Sequence, residues 1–150
     1  MTSPPFEVRW LVPGDEALAA RAMREVLEDP GGLADGWLAD LRVHFAVALV
    51  DGTPAGVAFG HTVPLPGGRT EMLLYSLDVA EAYRHRGYGR ALVEAFLDRA
   101  RAFGFDEVWV LTEPDNEAGN ATYRSVGPPS GRADSVMYTW DVSSAPDALA

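Results

Sequence analysis

Leu77-Asp78-Val79, followed by Arg84-His85-Arg86-Gly87-Tyr88-Gly89-Arg90, is the stretch on which the fold turns. It carries an apolar run, Thr70 to Val79 (TEMLLYSLDV), into a glycine loop and then into Tyr88, Leu92, Ala95, Phe96 and Phe103, whose spacings of three, four and seven mark a helix. Gly104 closes that helix, and Asp106 to Thr112, with VWVL at its heart, reads as another buried strand. Strand, loop, helix and strand in that order form a βαβ unit with two parallel strands, the first long and apolar enough to lie buried on both faces.

The loop itself predicts a ligand. Gly87 and Gly89 let a ligand approach the backbone without a Cβ in the way, and the helix that starts there offers unpaired N–H groups at its positive end. Arg84, Arg86 and Arg90, with His85, gather positive charge in a chain that has only 12 Lys+Arg against 22 Asp+Glu. That concentration suits a phosphate. No GK[ST] follows, so the loop is not a Walker loop, and the GxGxxG spacing of a dinucleotide fingerprint is absent.

Upstream, Phe6, Val8, Trp10 and Val12 alternate as a first strand that Pro13-Gly14 ends. Leu18, Ala22, Met23, Val26 and Leu27 then mark an amphipathic helix with its cap at Gly14 or Asp15, and Trp37, Leu38 and Leu41 predict a second helix over Leu33 to Leu41. His44–Val50 and Pro54–Val63 flank Asp51-Gly52, the signature of a hairpin. Downstream, Asn116 to Val126 reads as a short helix ending at Gly127, and Val136, Tyr138, Trp140 and Val142 alternate as a last strand, with a frayed tail at 143–150.

The 150 residues, 47% hydrophobic and 23% charged, make one domain, 1–150, with enough apolar residues for a core. Zero Cys removes a disulfide framework, a thiolate nucleophile and Cys-ligated zinc. His44, His61 and His85 are scattered, with no metal-ligand spacing, so no metal is expected. Met1 to Glu7 lacks the basic start and apolar run of a signal peptide, and no stretch approaches the ~18 apolar residues of a membrane span; a cytoplasmic home without membrane contact is the expectation. The net charge of −10 repels nucleic acid and favours a cationic partner.

The chain resembles the GNAT superfamily of acetyl-CoA-dependent N-acetyltransferases, whose motif is [QR]-x-x-G-x-[GA] after a strand ending in an apolar-x-Val pair. Here those positions are Leu77-Asp78-Val79 and Arg84 to Gly89; a second match, to N-x-x-A-x-x-x-Y or a close variant, is Asn116-Glu117-Ala118-Gly119-Asn120-Ala121-Thr122-Tyr123. The order of elements matches as well. The resemblance implies an α/β (α+β) fold with a mixed sheet of six to seven strands, about four helices, and a V-shaped splay between the two central parallel strands. It further implies that Leu77 and Val79 pair with the pantetheine arm of acetyl-CoA and that the backbone from Arg86 to Arg90, with Arg84, takes the pyrophosphate. Asp78, His85, Gly87, Tyr88, Gly89, Asn116 and Tyr123 belong to the same cofactor site, and a backbone N–H near Val79 would meet the acetyl carbonyl.

Acetyl transfer needs a neutral amine and a proton for the departing thiolate. Tyr123 matches the tyrosine that points at the CoA sulfur, although its position also fits the apolar face of its helix. Glu71 at the head of the central strand, and Glu113 or Asp115 after the next, are the candidate bases, and each also reads as a solvated or capping carboxylate. Trp10 and Trp37 read as core packing ahead of pocket lining.

The central strand and the last helix resemble the aminoglycoside 3-N-acetyltransferase branch, in which the strand commonly reads E-x-x-x-Y-D-L-A-V. Ser76 stands where that pattern has an acid, and Asp78 where it has Ala. The expected acceptor is a cationic small molecule, an aminoglycoside acetylated at its 3-amino group, held by Glu71, Asp78, Glu113 and Asp115. A protein N-terminal or lysine acetyltransferase and a non-catalytic acetyl-CoA-binding module are the alternatives. Exposed strand edges such as the last could pair two chains as a homodimer.

Overall fold

The structure, a computed structural model, describes residues 4–29, 32–127 and 135–143. Along the chain come β1 (Phe6–Trp10), α1 (Glu16–Val26), a 3-10 turn at Trp37–Ala39, β2 (Val43–Val50), β3 (Thr53–Pro64) and β4 (Thr70–Val79). A second 3-10 turn at Glu81–Tyr83, α2 (Tyr88–Ala102), β5 (Glu107–Val110) and α3 (Glu117–Ser125) complete it. The strands form one sheet in the order β1-β2-β3-β4-β5. Neighbours from β1 to β4 are antiparallel, and β4–β5 is parallel, as the βαβ reading requires.

The alternation of β2 assigns the two faces of the sheet. Phe45, Val47 and Leu49 join Val57, Leu11 and the Ala19, Ala22 and Val26 face of α1 on one side. Ala46, Ala48 and Ala58 turn to the other, where they leave room for Leu92 and Phe96 of α2, both fully buried. The β2–β3 hairpin closes on Asp51 and Gly52, with φ of +49° and +76°, the left-handed pair that matches the twist of flanking strands.

β4 is less buried than its apolar run predicts. Met72 and Leu74 are fully buried, but Tyr75 is 64% exposed. Two features of pairing explain this. Phe59 lies opposite Ser76 while Gly60 lies opposite Leu74, so Tyr75 is the extra residue of a bulge. On the other edge, β5 pairs only with Glu71–Leu74, and β4 runs on to Val79 without it, which opens the sheet between the two parallel strands. Gly60 sits at the bulge because a Cβ there would collide with the Leu73 carbonyl oxygen and lie 3.0 Å from Cε1 of Phe96.

Several expectations are corrected. The described residues contain five strands, not six to seven, and three α-helices, not about four. The helix expected over Leu33 to Leu41 is only the turn at Trp37–Ala39: Gly36 enters it with φ +74°, Asp40 leaves it extended, and Leu41 is 93% exposed. Trp37 instead plugs the α1 face, edge-on to Phe45 and Phe59 at 5.4 and 5.7 Å. Ser135 to Val142 forms no strand and pairs with none, and its alternating apolar residues are exposed, Trp140 by 75%. Alternation supplies β-propensity, but a strand also needs a partner edge. Of the expected tail, 144–150 lie outside the described residues.

Candidate active site

A groove of about 720 Å³ runs from the opened end of β4, past the loop into α2, to α3. That volume falls within the ~300–1,000 Å³ of small-molecule sites. Its floor is fixed by Arg84, whose Nε–H donates to the Val79 carbonyl at 2.9 Å and folds the loop back over the strand end. His85 and Gly87 both take left-handed φ, +62° and +85°, and the chain then turns directly into α2. No side chain caps that helix, so the N–H groups of its first turn are left for a ligand. Arg84 and Arg90 stand beside them, Arg90 also pairing with Glu94 at 2.8 Å.

The facing wall is α3. Asn116 caps it, accepting from Gly119 N–H at 3.1 Å while its Nδ2 donates to Thr112 Oγ1 at 2.8 Å. A Cβ at residue 119 would collide with that cap, which is why glycine follows three residues after it. Asn120 ties the preceding loop to the helix through the carbonyls of Glu113 and Asn116, at 3.0 and 2.9 Å. α2 and α3 meet closely at Gly89, where a Cβ would be 3.4 Å from Thr122 Cγ2. Tyr123 is half-buried in the groove; burial first, and the charge of Asp78 second, push its phenol above the ordinary value.

Of the residues expected to hold the cofactor, Leu77, Asp78, Val79, Arg84, His85, Gly87, Tyr88, Gly89, Arg90, Asn116 and Tyr123 all line this one groove. Arg86 is exposed in the same loop and does not. The carboxylates divide. Asp78 lines the groove and accepts the Ser76 hydroxyl at 3.0 Å. Glu71 lies at the opposite end of β4, about 20 Å of strand from Leu77, with Arg69 3.5 Å away and Glu107 3.7 Å from the same guanidinium. Glu113 and Asp115 are exposed on the loop after β5 and do not line the groove. Tyr83 and Thr122 do line it and carried no sequence signal; the indole N–H of Trp109 is buried without a partner, on the β5 position opposite Leu73.

Residues 9–127 match the Acetyltransferase (GNAT) family. The chain belongs to the GNAT acetyltransferase family. Members of this family use acetyl-CoA as a general rule. Among curated proteins the GNAT chain is 31% identical to a streptothricin acetyltransferase from Streptomyces lavendulae, over 99% of its own length and 80% of that protein's. It is 36% identical to N-alpha-acetyltransferase RimI from Mycobacterium tuberculosis, over 60% of its length and 54% of that protein's. The chain spans little more than half the length of two of the first three curated relatives it matches. Among solved structures, an aminoglycoside acetyltransferase from an uncultured soil metagenomic sample, HMB0005, shares the fold with a TM-score of 0.79 at 24% identity, covering 93% of this chain and 99% of that one.

The groove fits the family's acyl donor on its own terms. An uncapped helix start, a left-handed glycine turn and two arginines suit a pyrophosphate, and the unpaired edge of β4 beyond Leu74 suits an extended arm with amide groups. Among the described residues there is no group of three His, Asp or Glu that could hold a metal ion, and no helix long and apolar enough to cross a membrane.

Proposed function

We propose that the chain transfers the acetyl group of acetyl-CoA to a primary amine of a cationic small molecule, an amino sugar of the aminoglycoside or streptothricin kind. The observation that carries this reading is the single groove in which the uncapped start of α2, Arg84 and Tyr123 stand together. When bound, acetyl-CoA supplies an acyl group activated as a thioester. The N–H groups of Tyr88 to Arg90 and the Arg84 guanidinium hold the pyrophosphate, and the backbone of Leu77 and Val79 aligns the pantetheine arm along the opened edge of β4. Tyr123, its phenol held above its ordinary value, keeps its proton at neutral pH and donates it to the departing thiolate.

A cationic acceptor suits a chain of net charge −10, and Glu113 and Asp115 stand on the loop after β5, where they would meet ammonium groups. The resemblance of β4 and α3 to the aminoglycoside 3-N branch, and the streptothricin acetyltransferase matched over 99% of the chain, both support an antibiotic-type amine, with the 3-amino group as the position modified. The test is thiol release from acetyl-CoA against gentamicin-type and kanamycin-type aminoglycosides, streptothricin, simple polyamines and N-terminal peptides. Turnover on the amino sugars, with mass-spectrometric mapping of the acetylated nitrogen, is the expected result. Turnover confined to peptides would move the protein to N-terminal acetylation, the activity named for its relative RimI.

A further inference from the structure

We propose that Asp78 is the catalytic proton acceptor for the attacking amine, standing across the opening of the sheet from Tyr123; this rests on the acetyl-transfer reading above. Among the described residues Asp78 is the only carboxylate that lines the groove. Glu71 and Glu107 share Arg69 at the other end of β4, and Glu113 and Asp115 lie outside the groove.

The strand geometry sets the two groups on opposite sides of the opening. Leu77 packs with the α2-side core, as does Tyr123, and Val79 lies on that same side, since a Cβ built at Gly56 would be 3.0 Å from Leu92 Cδ1 and 3.5 Å from Val79 Cγ2. Asp78 lies between Leu77 and Val79 in sequence and is paired in register with Val57, a residue of the α1-side core, so it points to the other face. Ser76, two residues earlier, shares that face and donates its hydroxyl to Oδ2 of Asp78 at 3.0 Å, while no other hydrogen bond to the Asp78 carboxylate is made among the described residues. One oxygen is thus oriented and the other is left for an amine. A group lying in the opening between β4 and β5 therefore has a phenol on one side and a carboxylate on the other. The charge of Asp78 also acts on Tyr123, after burial, to keep the phenol protonated, which is the state an acid needs.

The proton balance closes with these two residues. The ammonium loses one proton to Asp78, which passes it to solvent, and the freed lone pair forms the C–N bond. The C–S bond breaks with its electron pair going to sulfur, and Tyr123 gives the thiolate its proton. The nitrogen then loses a second proton as the amide forms, which replaces the one given by Tyr123.

The experiment compares wild type, Asp78→Asn and Asp78→Glu on an amine that the wild type acetylates, with acetyl-CoA affinity measured by calorimetry and the Tyr123 phenol followed by ultraviolet titration against a Tyr123→Phe baseline. Asp78 is exposed, so the variants keep the fold. The expected result is a loss of kcat of about 10²–10⁴-fold in Asp78→Asn, partial recovery in Asp78→Glu, acetyl-CoA affinity within about 3-fold, and a Tyr123 titration moved to lower pH in Asp78→Asn. Asp78→Asn within about 3-fold of the wild-type kcat overturns the proposal and leaves acetyl transfer standing. Acetyl-CoA affinity falling in step with kcat overturns it in favour of a cofactor contact. A wild type that binds acetyl-CoA yet acetylates no amine overturns the transfer reading and this proposal together.

Discussion

Arg99, in the last turn of α2, donates its Nε–H to Nδ1 of His44 on β2 at 2.9 Å. Across the ring, Nε2 lies 2.8 Å from Thr62 Oγ1. A guanidinium only donates, so Nδ1 must carry a lone pair, and Nε2–H is the donor to Thr62. The Arg99 guanidinium stacks 4.2 Å from the ring centre of Trp10 and 4.7 Å from that of Phe103. The neutral imidazole therefore seats a half-buried cation against the sheet, and a protonated one would set two positive groups face to face.

The first prediction concerns acid stability. Burial, then the Arg99 charge, then that of His61, push His44 from 6.5 down to about 4. Between those values the unfolded chain binds the proton that the folded one refuses, so stability rises with pH there. The contribution is fully present above about 6.5 and is lost as pH falls toward about 4, on the order of 3 kcal/mol in all. Urea unfolding of the wild type should show about 2 kcal/mol less stability at pH 5 than at pH 7. In His44→Gln, which can still accept and donate, the slope should largely vanish; equal slopes in both proteins would refute the assignment.

The second prediction tests the bulge that positions the groove. Gly60→Ala must push a methyl into the Leu73 carbonyl and against Phe96, neither of which can swing away. The cost should reach about 1–3 kcal/mol in denaturant unfolding. Gly67→Ala, with nothing within 4 Å and no left-handed φ, should stay within about 0.5 kcal/mol. A Gly60→Ala protein as stable as Gly67→Ala would mean that the β3–β4 register is not held by this contact.

What the sequence made legible was local. The change of period from two to 3.6 across Val79 and Tyr88, the Asp51-Gly52 turn and a short helix following Asn116 are each specified within a few residues, and all stand where the sequence put them. The bulge at Tyr75 is different, because it arises from how Phe59 and Gly60 meet β4, a register no run of residues announces. Trp37 at helical spacing suggested a helix, but its ring is drawn onto Phe45 and Phe59 through a left-handed Gly36 that breaks the period. Among the acids, sequence offered position along the chain but not direction. Glu71 opens β4 and Asp78 nearly ends it, so one strand carries both to opposite ends of the sheet, and only the second meets the groove.

A third prediction separates the two glycines of the loop. Gly87 has φ +85° and open space around it, so Gly87→Ala should cost about 1–2 kcal/mol in backbone strain and weaken acetyl-CoA binding by disturbing the start of α2. Gly89→Ala would place its methyl at ordinary contact distances, 3.4 Å from Thr122 and 3.6 Å from Val79, and should fold within about 0.5 kcal/mol of wild type. Thermal melts and calorimetry on both variants check this. Equal destabilisation by the two would show that left-handed geometry at Gly87 is not what the loop requires.

The last prediction isolates the phenol of Tyr123. Its ring packs with the α2-side core, so Tyr123→Phe keeps the packing and removes only the hydroxyl, whose proton is held by burial and by the Asp78 charge. If that proton goes to the departing thiolate, kcat should fall about 10²-fold while acetyl-CoA affinity stays within about 3-fold. The deficit should also depend on the thiol. An acetyl thioester of an acidic aryl thiol leaves without needing a proton, so the gap between wild type and Tyr123→Phe should shrink to a few-fold with such a donor. A gap that stays the same for alkyl and aryl thioesters would place the hydroxyl's contribution in binding or positioning, and the proton for the thiolate would then have to come from water.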